Sequence, residues 1–410
     1  MNKRTRAIKI LNQFNFSGFP RAIWVIAGMN VIGWTGFNTS FTYFPLYLYQ
    51  ERGTPMTLVG AILLVFGILG GVFMMIGGYL GDRFGHRRIA LIFSLVSVIG
   101  WVGLAASIAL KAPLWSVVAS TSLAQGVGAG GMPPLNAITM EVSPEGRLTE
   151  SYSLGSIAGN ISWAIGPLLG GYMLGFASYG WLFGFGALMA ALRLIGFLFL
   201  PADTKKVIAK TRTARNWKAI IPAPAILAFS ILALLLNLTE TQMGSTLSVF
   251  WVNRIGFTAE QYGLLMSISG ILIIILQYPV SHAVAQRLRT ALVLGCLFYA
   301  FGFLSLAWVK AFVPALGSIA AMVIAEMLFI PTASAAVGQM TGPEDRGKAM
   351  GFYGLCSTTG MSIGPIIGGF LLDKYPGTPL LIWGPVSLFS FVAALGFGVW
   401  KGYAQDKEIM

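Results

Sequence analysis

The chain has 410 residues, of which 56% are hydrophobic and only 10% charged, and it carries a net charge of +13. Soluble domains hold about a quarter charged residues, so a soluble enzyme or soluble binding module is excluded. The apolar residues form continuous runs of the roughly 20 residues that cross a hydrocarbon core of about 30 Å, without the alternation of a lipid-facing strand. An all-α membrane protein follows, with twelve transmembrane helices expected at 20–48, 56–81, 87–109, 113–141, 149–178, 181–201, 219–251, 259–284, 290–310, 313–340, 347–373 and 378–401. They divide into two pseudo-symmetric six-helix bundles, 1–201 and 219–410, joined by a basic cytoplasmic linker, 202–218.

In chain order, Lys3, Arg4, Arg6 and Lys9 precede a run of full spanning length without a small-residue cleavage pattern, and read as a cytoplasmic tail. Run 1 carries Asn30, Trp34, Phe37, Asn38, Phe41 and Tyr43. Trp34, Asn38 and Phe41 share one helical face and are candidate cavity residues, with packing as the alternative for each. Between runs 2 and 3 stands Gly78-Tyr79-Leu80-Gly81-Asp82-Arg83-Phe84-Gly85-His86-Arg87-Arg88. Gly78 and Gly81 predict a close helix crossing that leaves Asp82 free to face the start of another helix. Run 4 offers Gln125 and Asn136 as polar candidates, and Glu141 at its end is placed either to pair with Arg83 or Arg87 or to be solvated. Run 5 follows Ser143-Pro144-Glu145-Gly146-Arg147 and contains Gly166-Pro167-Leu168-Leu169-Gly170-Gly171. Arg193, about eight residues from the end of run 6, reads as a snorkelling arginine, with solute contact as the minor alternative.

Lys205, Lys206, Lys210, Arg212, Arg215 and Lys218 crowd the linker. Alternating topology puts 22 of the 27 Lys and Arg on one side, against Arg52, Lys111, Arg254, Lys310 and Lys374 on the other. By the positive-inside rule both termini are cytoplasmic, and the basic excess is an orientation signal near anionic lipid rather than a nucleic-acid surface.

Of fourteen acidic residues, only Glu240 in run 7 and Glu326 in run 10 lie deep within a run, roughly 17 and 20 Å from its outer end at 1.5 Å per residue. Intramembrane carboxylates are costly enough to mark function. Exposed to alternate sides, each could load and release a proton; the structural alternative is a protonated glutamate hydrogen-bonded inside the bundle. Asn237, Thr239, Thr241 and Gln242 predict a break in run 7, with Gln242 a cavity candidate, and Gln277 and Tyr278 in run 8 are weaker ones.

In the second half Ala285 and Gln286 occupy the positions of Asp82 and Arg83. Arg346, after Gly342-Pro343-Glu344-Asp345, opens run 11, which repeats the earlier phrase as Gly364-Pro365-Ile366-Ile367-Gly368-Gly369, 198 positions after the first copy. Proline kinks a helix and glycine permits close crossing. Cys296 and Cys356 have no metal or redox spacing and read as packing residues. With only two histidines, His86 and His282, and no nucleophile or metal constellation, no enzymatic activity, cofactor or metal is expected.

The Gly78–Arg88 phrase, the six-plus-six layout and the doubled Arg…Gly-Pro-x-x-Gly-Gly together resemble the major facilitator superfamily over essentially the whole chain. The loops before runs 5 and 11, and Glu326-Met327-Leu328-Phe329-Ile330-Pro331, are similar to those of its twelve-helix drug:proton antiporters. The resemblance implies that Gly78, Asp82, Arg83, Gly85 and Arg87 form a conformational latch, Asp82 meeting the start of run 11 in the outward-facing state; the alternative is turn and topology charge alone. It implies that Arg147, Gly166, Pro167, Gly170 and Gly171, with Arg346, Gly360, Gly364, Pro365, Gly368 and Gly369, belong to gating helices carrying an antiporter motif, although Ser162 stands where that motif prefers glycine. Generic packing between the halves is the alternative. It also places runs 1, 4, 7 and 10 around a central cavity. One departure is Ser122, where many proton-coupled members carry an arginine three residues before Gln125-Gly126; that arginine's role is not carried over. The function expected is proton-coupled efflux of small amphipathic or cationic compounds by a monomer in the cell's inner (plasma) membrane, with protons, solute and lipid as partners. The alternative is a proton symporter or facilitator for a sugar, organic acid or lipid-like solute.

Overall fold

The computed structural model describes residues 18–202, 224–284, 287–341 and 345–400. The basic tail residues Lys3, Arg4, Arg6 and Lys9, the linker cations from Lys205 to Lys218, Ala285, Gln286 and the loop residues Gly342, Pro343 and Glu344 lie outside them. Among the described residues every regular element is helical. We number them α1 (Arg21–Phe41, continued by the short turn Phe44–Gln50), α2 (Met56–Phe84), α3 (His86–Ala109), α4 (Leu114–Thr121, Ser122–Gly126, Val127–Gly131 and Met132–Val142), α5 (Leu148–Phe176), α6 (Tyr179–Phe199), α7 (Pro224–Gly244, continued by Thr246–Val249 and Phe250–Ile255), α8 (Ala259–Val284), α9 (Leu288–Ser305), α10 (Phe312–Gln339), α11 (Arg346–Lys374) and α12 (Pro379–Val399). Of these, nine (α2, α3 and α6 to α12) are long and apolar enough to cross a membrane. The other three expected runs are helical, but α1 and α5 carry Asn30, Thr35, Asn38 and Ser153, Ser156, Asn160, and α4 is interrupted.

The carboxyl ends of α2, α4, α6, α8 and α10 point to one face, here called the basic face for Arg87, Arg88, Arg147 and Arg287, and those of the odd-numbered helices point to the far face. Met75, Ile275 and Leu395 stay 73%, 62% and 71% exposed, as apolar side chains facing lipid do.

The two halves are built alike. In the first, α1 packs on α5 and α3 on α6; in the second, α7 packs on α11 and α9 on α12. The halves join crosswise, α5 along α8 and α2 along α11. The doubled glycine phrase explains both contacts. A Cβ on Gly166 would stand 2.6 Å from that of Asn38 on α1, and one on Gly171 would stand 2.5 Å from the Ala259 carbonyl on α8. In the other copy Gly360 meets the Leu234 carbonyl of α7, and Gly369 the backbone of Met56 on α2. Each phrase therefore holds its helix to its own half on one side and to the opposite half on the other.

Proline removes the helical bond to the carbonyl four residues earlier. For Pro365 that carbonyl is Met361, and the Thr241 hydroxyl of α7 donates to it at 3.0 Å. In α4 the π turn Ser122–Gly126 and the 3-10 turn Val127–Gly131 bring the Gly130 carbonyl against Gly77 of α2 and Ala124 against Gly100 of α3. Close packing of α4 on α2 and α3 is the result, and Gln125 of the π turn lines an interior cavity.

Candidate functional site

A cavity of about 540 Å³ lies within the first half, toward the basic face, within the 300–1,000 Å³ usual for small-molecule sites. Its wall includes Asn30, Trp34 and Phe37 of α1, Ser97 and Trp101 of α3, Gln125 and Asn136 of α4, Tyr152 and Asn160 of α5, and Arg193 of α6. Trp34 meets Phe37 edge-on at 5.7 Å, and Phe37, Phe41 and Phe44 continue as a stack with centroids 4.9 and 5.3 Å apart. Among the described residues, the lining includes no aspartate or glutamate.

The carboxylates sit in the second half. Glu240 ends the α-helical part of α7, which tightens to a 3-10 turn over Thr241–Gly244. Glu326 lies midway along α10, five residues before Pro331. Neither forms an ion pair among the described residues. They lie within electrostatic range of each other, and so does Tyr299 of α9, whose buried hydroxyl has no hydrogen-bond partner among the described residues. Tyr353 of α11 lies within electrostatic range of Glu240. The site thus groups two carboxylates and two phenols from four helices, and neither carboxylate has an ion-pair partner among the described residues.

The halves are closed over the far face. Tyr43 donates to the Pro167 carbonyl at 2.7 Å and stands 3.2 Å from that of Ala259, and Gln50 donates to Asn253 at 3.2 Å. Asp373, in the last turn of α11, accepts the Met56 amide at 2.9 Å, the Thr57 amide at 2.8 Å and the Thr57 hydroxyl at 2.7 Å. A carboxylate is disfavoured at the carboxyl end of its own helix and favoured at the amide end of another. Asp373 satisfies the second condition across the boundary between the halves.

Comparison with known proteins gives these features a frame. A family model of the Major Facilitator Superfamily matches residues 23–330 and 315–407. The chain belongs to the Major Facilitator Superfamily. It is 26% identical to the uncharacterized MFS-type transporter YttB of Bacillus subtilis (strain 168) over 87% of this chain and 89% of that one. It is 25% identical to the class H tetracycline resistance protein of Pasteurella multocida (86% and 89% covered) and 24% identical to the quinolone resistance protein NorA of Staphylococcus aureus (88% and 92%). Among solved structures, a POT family transporter in complex with 5-aminolevulinic acid superposes with a TM-score of 0.79 at 16% identity, covering 97% of this chain and 99% of that one. The nucleoside transporter NupG superposes at 0.78 and 15% identity (93% and 100%). At such identities the structural matches speak for the fold alone.

As a Major Facilitator Superfamily member, the protein is a multi-pass membrane transporter rather than an enzyme, and it moves a small-molecule solute across a lipid bilayer by alternating access. Its predicted residues fall in several places. Asn30, Trp34 and Gln125 reach the cavity wall. Asn38 is instead buried where α1 meets Gly166, and Phe41 belongs to the aromatic stack. Gln242 is wholly buried and bridges α7 to α11, donating to the Leu238 and Gly364 carbonyls at 2.9 and 2.7 Å and accepting from Thr246 at 2.6 Å.

The basic-face phrase of this transporter is arranged differently from the expectation. Gly77 rather than Gly78 makes the tight crossing with α4; Gly78 has only an ordinary contact with Pro133, and Gly81 packs on Pro134 and His86. Gly85 turns the chain at φ 101°, which a side chain would strain. Glu141 pairs with His86, not with Arg83 or Arg87, at 2.6 Å, and the other ring nitrogen of His86 lies 3.2 Å from Asp82. Asp82 is otherwise exposed and meets no residue of α11 among the described residues. Arg83 lies over the Phe84 ring at 5.2 Å, and Arg87 donates to the Phe197 carbonyl at 2.8 Å, tying α3 to α6. Arg147 pairs with Glu150 and covers Phe19, and Arg346 donates to the Gly338 carbonyl at 3.2 Å. Tyr43, expected among the run 1 aromatics near the cavity, and His86, expected only as part of a basic cluster, turn out to bond between helices, whereas the sequence reading does not single out Tyr299, Tyr353 and Asp373. Asp373 carried a signal, an acid in the last turn of its own helix.

Proposed function

We propose that this chain couples the movement of a small polar organic solute to protons, with the solute held in the first half and the protons carried by Glu240 and Glu326 in the second. The observation that carries this reading is their separation. The cavity wall includes neither carboxylate, so solute and proton do not compete for one group, an arrangement suited to co-transport of a sugar or organic acid. Twelve crossings with the basic face cytoplasmic make the present conformation inward-facing. In the outward-facing one, Asp82 then meets the amide end of α11, as the family resemblance implies.

A second reading, proton-driven efflux of amphipathic compounds, is favoured by the resistance proteins among the sequence relatives and by the doubled Gly-Pro phrase. Proteoliposomes containing a pH dye separate the two. Addition of sugars, organic acids or cationic drugs outside, one at a time, acidifies the lumen under symport when the transported solute is present, and alkalinises it under antiport. No pH movement with any solute, while the solute itself crosses, refutes proton coupling.

A further inference from the structure

The geometry points to Arg193 as the recognition group for a carboxylate on the transported solute, making this cavity a site for organic acids or zwitterions. This rests on the proposed placement of the solute in the first half and narrows the class it carries.

Three observations converge on Arg193. First, its stem is turned inward. A Cβ on Gly33 of α1 would stand 2.5 Å from the Arg193 Cδ and 3.1 Å from its Nε, so the side chain lies across bare backbone that only glycine leaves open. A snorkelling arginine extends toward the headgroups, whereas this one, six residues before the end of α6 at Phe199 and thus roughly 9 Å into the helix, runs across α1 along the cavity wall. Second, the guanidinium is uncompensated. Its Nε is buried without a hydrogen-bond partner, and no ion pair or hydrogen bond to Arg193 occurs among the described residues. Third, every neighbouring helix presents neutral groups to the same space: Asn30 from α1, Ser97 from α3, Gln125 from α4 and Asn160 from α5.

A charge partly withdrawn from water without a partner is costly, and among the described residues the cavity wall provides none. The missing partner is an anion that arrives with the solute. Guanidinium matches a carboxylate through two parallel N–H···O bonds, while the partly exposed Trp34 and Phe37 offer apolar ring surface for an organic body. Neutral amides around the rim can bond its remaining polar groups. The wall thus prefers anionic or zwitterionic solutes over the cationic compounds expected from sequence.

The test is equilibrium binding to the purified full-length protein, with no pH gradient, using matched pairs: benzoate and benzamide, nicotinate and nicotinamide, succinate and succinamide, with inorganic phosphate and chloride alongside. Thermal stabilisation and titration calorimetry are the readouts. At least one carboxylate is expected to bind tenfold or more tightly than its amide. Arg193→Gln should abolish that preference, and Arg193→Lys, which keeps the charge but not the fork, should retain part of it. Gly33→Ala, which leaves Arg193 in the chain but displaces its stem, should weaken the same carboxylate and guards against misfolding of the arginine variants. Equal binding of carboxylates and amides, no carboxylate binding at all, phosphate or chloride bound in preference, or an undiminished preference in a folded Arg193→Gln overturns the assignment. Proton coupling is read separately: pH-driven flux without carboxylate preference defeats only the role of Arg193, and carboxylate preference without pH-driven flux defeats only the coupling.

Discussion

Replacing Asp373 by alanine removes three hydrogen bonds that cross between the halves, two to first-turn amides of α2 and one to the Thr57 hydroxyl. Loss of a capping side chain costs about 1 kcal/mol, and loss of a charge at a helix amide end about 0.3–1 kcal/mol. Because Asp373 is exposed, water recovers part of both, and a net loss of about 1 kcal/mol remains, equivalent to about fivefold in an equilibrium constant. The bonds exist only while the far face is closed, so the sign is fixed: Asp373→Ala raises the far-face-open population about fivefold, and Asp373→Asn, which keeps the shape but not the charge, does so by less. Spin labels at positions 110 and 310, on far-face loops of opposite halves, report the ratio as a distance distribution. An unchanged distribution in folded Asp373→Ala would show that Tyr43, Gln50 and the glycine crossings hold the closure without it.

Glu326→Gln should eliminate solute-driven pH change in proteoliposomes while solute binding survives; coupled flux at the wild-type rate would remove Glu326 from the proton path. Asp82→Asn should move the same label distribution opposite to Asp373→Ala, by up to about fivefold for a helix-end charge of up to about 1 kcal/mol. Thr241→Val strips the Met361 carbonyl of its donor and should cost about 1 kcal/mol, seen as a lower thermal midpoint, with Thr241→Ser restoring it.

The membrane-spanning organisation was legible because a bilayer demands long apolar helices and leaves charges few places to lie. Repeats were legible too, since Gly166 and Gly364 both answer to a backbone that must come within reach of a partner. What escaped depended on relations between helices distant in sequence. Gln242 and Asn38 looked like cavity polars because their residue types suit one, yet each faces a glycine helix, and spacing along a single helix does not say which neighbour lies on which side. His86 was read as one of a basic cluster, but its partner Glu141 stands 55 positions away. Arg193 was given to the interface because its depth allowed it; only the bare backbone of Gly33, in another helix, shows the side chain turned inward.

The paired glycines at the ends of the two phrases divide their labour. A methyl on Gly170 would meet Thr39 and Tyr43 of its own half, and one on Gly171 would meet Ala259 and Glu260 of the other half together with the Tyr43 hydroxyl that itself reaches across. One on Gly368 would meet Gln242 at home, and one on Gly369 would meet Met56 across the boundary. One member of each pair serves as a weld and the next as a bearing surface. A methyl group added to the weld should loosen a bundle, whereas one added to the bearing should leave both bundles whole and keep them from closing over the far face. Adjacent positions in the chain are thus answerable to different requirements, one to assembly and the other to the working cycle.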